Sequence, residues 1–419
     1  MGKIVILGLD GVPYSVIKEL SEKGIMLKTK ELIQAGRFYS ICSSLPEVSS
    51  VAWSSIITGK NPGEHGIYGF TEIDPNTYQL YPCNSYDLKT KPFWEIWPNK
   101  RYVIINVPFT YPARPLNGAL ISGFVAPDLD KATFPGSLVP ELERIGYKID
   151  VDSEKGHKDL EAFIKDVEDT LTARIKAYRY FWDNFEWDIF MLVITSTDRL
   201  FHFLWEAYKD EKHMYHDFVI NYFRKIDALM EEIISRLGNK DMFVMLSDHG
   251  FEQLETNFYV NVALQKGGFL KLGNNTRDIL PEFYEGTKAF ALEPGRIYLH
   301  YKSKYKYGEV DESDRKRLIE DITSFLKSFT FNGKTVIKQV FDREKIYTGP
   351  YVDRAPDLIL LGATGINIRA KFTAKEIYQR DIFTGKHTYE NAFLLSYNAP
   401  VDKIFSVEDV LSTIIKPYM

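Results

Sequence analysis

Residues 3–11, KIVILGLDG, decide the fold. The run is β-branched and leucine-rich and stops abruptly at Asp10-Gly11, the pattern of a strand buried on both faces with a loop at its carboxyl end. The same logic recurs at 102–107, YVIINV, closed by Pro108, at 187–194, WDIFMLVI, and at 242–246, MFVML, which ends in Ser247, Asp248, His249 and Gly250. Between these runs, residues 16–35, 160–185 and 214–237 carry apolar residues at helical spacing. In the last of them the set is Phe218, Ile220, Tyr222, Ile226, Leu229, Ile233 and Ile234. Alternating strands and helices predict an α/β class with a mostly parallel central sheet covered by helices. Ligands of such sheets bind at the carboxyl ends of the strands.

The pattern changes between 256 and 346, where glycine and asparagine loops surround a strand at 296–300, a helix at 313–328 and a strand at 334–341. This predicts a small inserted α/β lobe, a cap or lid. Apolar character returns at 355–361, APDLILL, so 1–255 and 347–419 are assigned to the core.

With 419 residues, 45% hydrophobic and 14% aromatic, the chain can bury a large core, and disorder is excluded as its general state. A net charge of -5 and no long basic run argue against a nucleic-acid polymer as main partner. Cys42 and Cys83 stand in unrelated contexts, so neither a disulfide framework nor a cysteine zinc site is expected. The start, MGKIVILGLDG, turns polar too soon for a signal peptide, and Ile6 stands where a myristoylation signal needs Ser or Thr. No apolar run reaches membrane-spanning length, and the expectation is a cytoplasmic protein with no membrane partner.

Residues 45–70, LPEVSSVAWSSIITGKNPGEHGIYGF, read as a strand end, a tight turn and a helix with hydroxyls at its start. A helix start offers unpaired N–H groups and the positive end of the dipole, which suits a phosphoryl anion. The plain alternative is that Ser49 or Ser50 is an N-cap.

Asp10, Asp198, His202, Asp248, His249 and His387 lie at strand ends or in loops that reach them. Asp198 and His202 sit four apart, on one face of a helical turn, although TSTDRLFHF around them reads as a polar loop. Aspartates and histidines without cysteine suit zinc, manganese or iron. Singly, each has an ordinary role: Asp-Gly is a common turn pair, and His65, in a PGEHG loop, reads as shaping a turn. His157, His213, His216 and His300 lack an acidic strand-end context.

Taken in order, Asp10-Gly11, Pro46 and Ser49, Trp53, Ser55, Thr58-Gly59, His65-Gly66-Ile67, Asp198 and His202, Ser247-Asp248-His249-Gly250, and Gly385 with His387 resemble the alkaline phosphatase superfamily, and within it the type I phosphodiesterase/nucleotide pyrophosphatase family. The resemblance implies an alkaline-phosphatase-like three-layer sandwich. It also implies that Asp10, Ser49, Asp248 and His249 surround one divalent ion and Asp198, His202 and His387 a second, zinc first, with manganese and iron as alternatives. Ser49 would be the nucleophile, its hydroxyl activated by a metal, giving a phosphoseryl intermediate that water then hydrolyses. The implied substrate is a small phosphate ester, nucleotides included, with a phosphodiester or pyrophosphate bond.

Departures keep alternatives open. Serine replaces the threonine common in that family, and Ala52 stands where its members place an asparagine. Candidates for the non-bridging oxygens are Ser50, Asn106 and Arg199. A phosphomonoesterase or phosphoglycerate-mutase-like phosphotransferase is the alternative activity, and a non-catalytic metal-binding module the alternative class.

Overall fold

The protein is described by a computed structural model covering residues 2–399, 401 and 404–419. The chain divides into two compact units, one built from Met1–Lys60, Asn84–Phe251 and His387–Met419, the other from Asn61–Cys83 and Glu252–Lys386.

The first unit holds an eight-stranded sheet in the order Arg37–Ile41, Ala392–Tyr397, Met242–Leu246, Ile4–Leu9, Ile189–Ile194, Tyr102–Val107, Gly118–Ser122 and Thr133–Phe134. The five strands from Met242–Leu246 to Gly118–Ser122 run parallel, and the antiparallel pairings lie toward the edges. The α/β class and mostly parallel sheet read from the sequence are therefore the observed ones. Ile4–Leu9, Tyr102–Val107, Ile189–Ile194 and Met242–Leu246 are buried at every residue, which alternation of side chains permits only if both sheet faces are covered. In register, Leu9 stands beside Ile194 and Gly8 beside Leu246. The three chains thus leave the sheet at one edge, and Asp10, Ser196 to Asp198 and Asp248 emerge together.

Several helices differ from the sequence expectation. Residues 16–35 form two helices, Tyr14–Glu22 and Leu27–Ala35, because Gly24 takes a left-handed φ of 72° between them. TSTDRLFHF is not a loop but opens the helix Ser196–Lys209, whose buried Leu200, Phe201, Leu204, Trp205 and Tyr208 give it an apolar face. Ser49–Thr58 is buried at all ten positions, a core helix rather than a surface one.

Gly8 makes room for that helix. A Cβ there would lie 2.4 Å from Trp53 Cη2 and 3.0 Å from Val193 Cγ2. Gly8→Ala should destabilise the protein by about 1–3 kcal/mol through overpacking, read as a lower denaturant midpoint. An unchanged midpoint would show that the Trp53 ring has slack.

The second unit contains an antiparallel sheet in the order Ala289–Leu292, Arg296–Leu299, Leu358–Gly362 and Ile337–Asp342. The helix Arg315–Lys327 buries Leu318, Ile322 and Leu326, four apart, into the same unit's core. The lobe expected at 256–346 makes up only part of this unit. Leu358–Gly362, which reads as a return to the core, pairs here instead, and the hairpin strands Thr71–Ile73 and Leu80–Pro82 belong here too. His65 ends the short helix Pro62–His65, and its Nδ1 accepts the Ile67 N–H at 3.2 Å, the turn-shaping role expected of it.

Asp357 is the buried anion of this unit. It accepts from the Leu299 N–H at 2.8 Å and the Tyr301 hydroxyl at 2.8 Å, and Arg343 Nη1 lies 3.3 Å away. Removing one partner of a buried pair leaves the other charge uncompensated, so Asp357→Ala should cost about 3–5 kcal/mol. Urea unfolding followed by tryptophan and tyrosine fluorescence checks this, and a loss under about 1 kcal/mol would place Asp357 among weak surface pairs.

Among the described residues no helix is long and apolar enough to cross a membrane. Cys42 and Cys83 are not joined in a disulfide.

Candidate active site

The carboxyl edge of the first unit's sheet gathers the aspartates and histidines singled out in the sequence. Asp10 follows Ile4–Leu9, Asp248 and His249 follow Met242–Leu246, Asp198 and His202 lie on Ser196–Lys209, and His387 is on the strand Gly385–Thr388. Gly11, at φ 68°, turns the chain away from the sheet, and its N–H donates to Asp248 Oδ1 at 3.0 Å. The Asp-Gly pair thus makes a turn and orders a second acid as well.

Ser49 is the first residue of its helix, and the N-cap is Val48 with no side-chain capping bond. The serine is therefore not the cap that helix-start serines usually are. Its hydroxyl lies 3.2 Å from Asp10 Oδ1, to which it donates, and 3.3 Å from His249 Nε2. Trp53, one turn along, donates its indole N–H to Asp10 Oδ2 at 2.9 Å. In the sequence Trp53 stands only as a motif position, and no local pattern reveals this bond.

His387 Nε2 lies 3.1 Å from Asp198 Oδ1 and 3.0 Å from His202 Nε2. Its Nδ1 is 3.0 Å from the Glu47 carbonyl, which can only accept, so Nδ1 carries the proton. His249 repeats this arrangement, with Nδ1 donating to the Gly250 carbonyl at 3.1 Å. In its neutral form each ring then turns an Nε2 lone pair toward carboxylate oxygens. Ligand atoms of Asp10, Asp248 and His249 lie within 4.8 Å of one another, as do those of Asp198, His249 and His387.

Asp10, Asp198, Asp248, His249 and Ser49 are at most 2% exposed, whereas the His202 and His387 side chains are about a fifth exposed. The site has a buried floor and a wet rim. Burial, and then the charges of Asp248 and Asp198, push the Asp10 carboxyl well up. Burial first, then Asp198, against the Gly11 N–H, raises Asp248 to about 7. His249 is driven down by burial and the neighbouring His387. For Asp198, burial works toward protonation, but His202, His387 and Arg199 outweigh it and hold the carboxyl below its ordinary range.

This donor set fits divalent cations. Three buried aspartates converge with lone-pair-bearing imidazoles, and Asp248 Oδ2 is a buried oxygen without a hydrogen-bond partner among the described residues. As anions these buried groups repel one another, and a bound cation would compensate their charge.

The three candidates for phosphoryl oxygens are placed differently. Ser50 lies in the first turn beside Ser49, fully buried. Asn106, at φ 63°, donates to Thr195 Oγ1 at 3.0 Å and to the Val193 carbonyl at 3.3 Å. Arg199 Nη1 donates to Asp198 Oδ2 at 3.0 Å, and its Nη2 to Asp150 Oδ2 at 2.8 Å. The hydrogen bonds of Asn106 and Arg199 thus go to protein groups, a polar turn residue and an ion-paired one.

A family model described as type I phosphodiesterase / nucleotide pyrophosphatase matches residues 4–390. Among solved structures, the chain is similar to phosphonoacetate hydrolase from Sinorhizobium meliloti in complex with phosphonoacetate, with 17% identity, a TM-score of 0.65, and 98% of this chain and 94% of that one covered. It is also similar to human ectonucleotide pyrophosphatase / phosphodiesterase 5, with 14% identity, a TM-score of 0.59, and 98% and 93% covered. The murine counterpart, an inactive form in complex with AMP, aligns with 13% identity, a TM-score of 0.58, and 98% and 93% covered. Among curated proteins no sequence match reaches significance.

Proposed function

Because the chain belongs to the type I phosphodiesterase/nucleotide pyrophosphatase family, and so to the phosphoric ester hydrolases of the alkaline phosphatase superfamily, we propose that it cleaves small phosphodiester or nucleotide pyrophosphate bonds through a covalent phosphoseryl intermediate on Ser49. The observation that carries this is the position of the Ser49 hydroxyl, at a helix start and within 3.3 Å of both Asp10 and His249.

Members of the family are metal-dependent, and two divalent ions, zinc first, complete the proposal. Asp10, Ser49, Asp248 and His249 would hold one, and Asp198, His202 and His387 the other. Ligand atoms of His249 also lie within 4.8 Å of those of Asp198 and His387, which supports two adjoining sites. Bound there, the ions supply Lewis-acid charge that lowers the pKa of the serine hydroxyl and neutralises charge building on phosphoryl and leaving oxygens.

The chain's own part follows from its geometry. Asp10 accepts the Ser49 hydroxyl and is itself fixed by the Trp53 indole, so the nucleophile is oriented before substrate arrives. The first turn of Ser49–Thr58 has N–H groups without intrahelical acceptors, and that of Ser50 is the proposed partner for a non-bridging oxygen. Ser49 Oγ releases its proton to solvent and attacks phosphorus, the P–O bond to the leaving group breaks, and that oxygen departs with the electron pair. Water then attacks the phosphoserine, breaking its P–O bond and restoring the hydroxyl. The partly exposed rim at His202 and His387 is the side from which water enters.

The experiment compares an aryl phosphodiester with its monoester and with a small phosphonate, on protein whose metal content is measured. Faster turnover of the diester supports the proposal. A monoester preference would replace it with the phosphomonoesterase or phosphotransferase alternative, and bound metal without turnover would favour the non-catalytic one.

A further inference from the structure

Asp198 faces two ways. Its Oδ1 lies 3.1 Å from His387 Nε2 and 3.4 Å from His202 Nε2, while its Oδ2 accepts from Arg199 Nη1 at 3.0 Å. An arginine is a long side chain and orients a carboxylate only if it is held in turn. Asp150 holds it: Oδ2 accepts from Arg199 Nε at 3.1 Å and from Nη2 at 2.8 Å, and the Phe124 ring lies 4.6 Å from the guanidinium carbon.

Asp150 has a second grip on the same helix. Its Oδ1 accepts from Thr195 Oγ1 at 3.4 Å, and Thr195 is the N-cap residue of Ser196–Lys209, which carries Asp198, Arg199 and His202. Thr195 is in turn held by the Asn106 amide at 3.0 Å. The Arg199 and Asp150 side chains are only 20% and 19% exposed, and Asp198 is 2% exposed, so these bonds are sheltered from the screening that weakens surface pairs.

We propose that Asp150 is a positioning residue. Through Arg199 and Thr195 it fixes Asp198 with Oδ1 turned toward the histidines, setting the affinity of the ion that Asp198 binds. This rests on the reading of Asp198 as a metal ligand. Asp150 itself touches none of the six acids and histidines of the site in any hydrogen bond or ion pair described among these residues.

The test measures Zn2+ binding to the purified full chain by competition with a chromophoric chelator, for wild type, Asp150→Asn, Asp150→Glu and Arg199→Gln, with melting temperatures alongside. Outer-shell partners of metal ligands change affinity by about 10–100-fold, so Asp150→Asn should weaken one Zn2+ ion by that factor while any other keeps its affinity. Asp150→Glu should recover part of the loss. Combining Asp150→Asn with Arg199→Gln should weaken binding by much less than the product of the single losses, because both act through one chain of contacts. Unchanged Zn2+ affinity in folded Asp150→Asn overturns the proposal, and so does full additivity. A fall in kcat with affinity intact also overturns it, by assigning Asp150 to substrate. Failure of the underlying reading is separate and visible first, as absence of Zn2+ binding by wild type.

Discussion

Ser49→Ala should lower kcat by roughly 10^4-fold or more, the scale seen when an enzyme loses its covalent nucleophile, if the proposed role of Ser49 holds. The substitution deletes one oxygen from a site 2% exposed and leaves the helix intact, because Ser49 makes no capping bond. Its partners lose little: Asp10 keeps the Trp53 indole, and His249 keeps the Gly250 carbonyl. Melting temperature should therefore stay close to wild type, and metal content should fall by less than one ion per chain. Rapid quench with a labelled substrate should trap phosphoprotein in wild type and none in the variant. Retained activity in Ser49→Ala would move the nucleophile elsewhere, to water or to Ser50.

Chelation of the proposed divalent ions should abolish turnover and reverse part of the pH dependence of stability. In the ion-free fold Asp248 titrates near 7, raised first by burial and then by Asp198, and Asp10 is raised in the same sense. In the unfolded chain both titrate near about 4. Between those values the folded state holds protons on these two carboxyls that the unfolded state has lost, so their contribution to stability falls as pH rises through this window. His249, driven below the ordinary imidazole range, contributes stability that grows as pH rises through about 6.5. Asp198 is shifted the other way from the two raised carboxyls. Its contribution is present above about 4 and is lost only at lower pH, outside the window. Returning the ions compensates the buried carboxylates and adds about 4 kcal/mol at a thousandfold excess over Kd. Melting temperatures at pH 5 and pH 7.5, with and without chelator, measure the effect. The gain from metal should be larger at pH 7.5, and equal melting curves in all four conditions would exclude ions at this site.

Much of the site could be read from local pattern. A strand buried on both faces is a short apolar run, and the runs at 102–107 and 242–246 coincide with the strands Tyr102–Val107 and Met242–Leu246. Parallel strands in register end at one edge, so an acid placed just after each run is carried to the same place. Ser196–Lys209 was harder to read, because its first turn is polar. Thr197 bonds the Asp10 carbonyl at 2.6 Å and Asp198 faces the histidines, so its polar groups face inward as a loop's face water.

The sequence by itself determined the alternation of strand and helix, the chemistry available at the strand ends and the helix start at Ser49, since each depends on residues a few positions apart. Tertiary structure alone decided which sheet Leu358–Gly362 joins, for a buried apolar strand carries no local mark of its partner. It also decided that the Ser49 hydroxyl turns to Asp10 and His249 instead of capping its helix, and that Trp53, Asp150 and Thr195 stand behind the acids. Those contacts join residues 39 to 200 positions apart. Only chain folding that closes such loops can specify them, because hydrogen bonds of a few ångströms depend on where the backbone is carried rather than on the residues beside them.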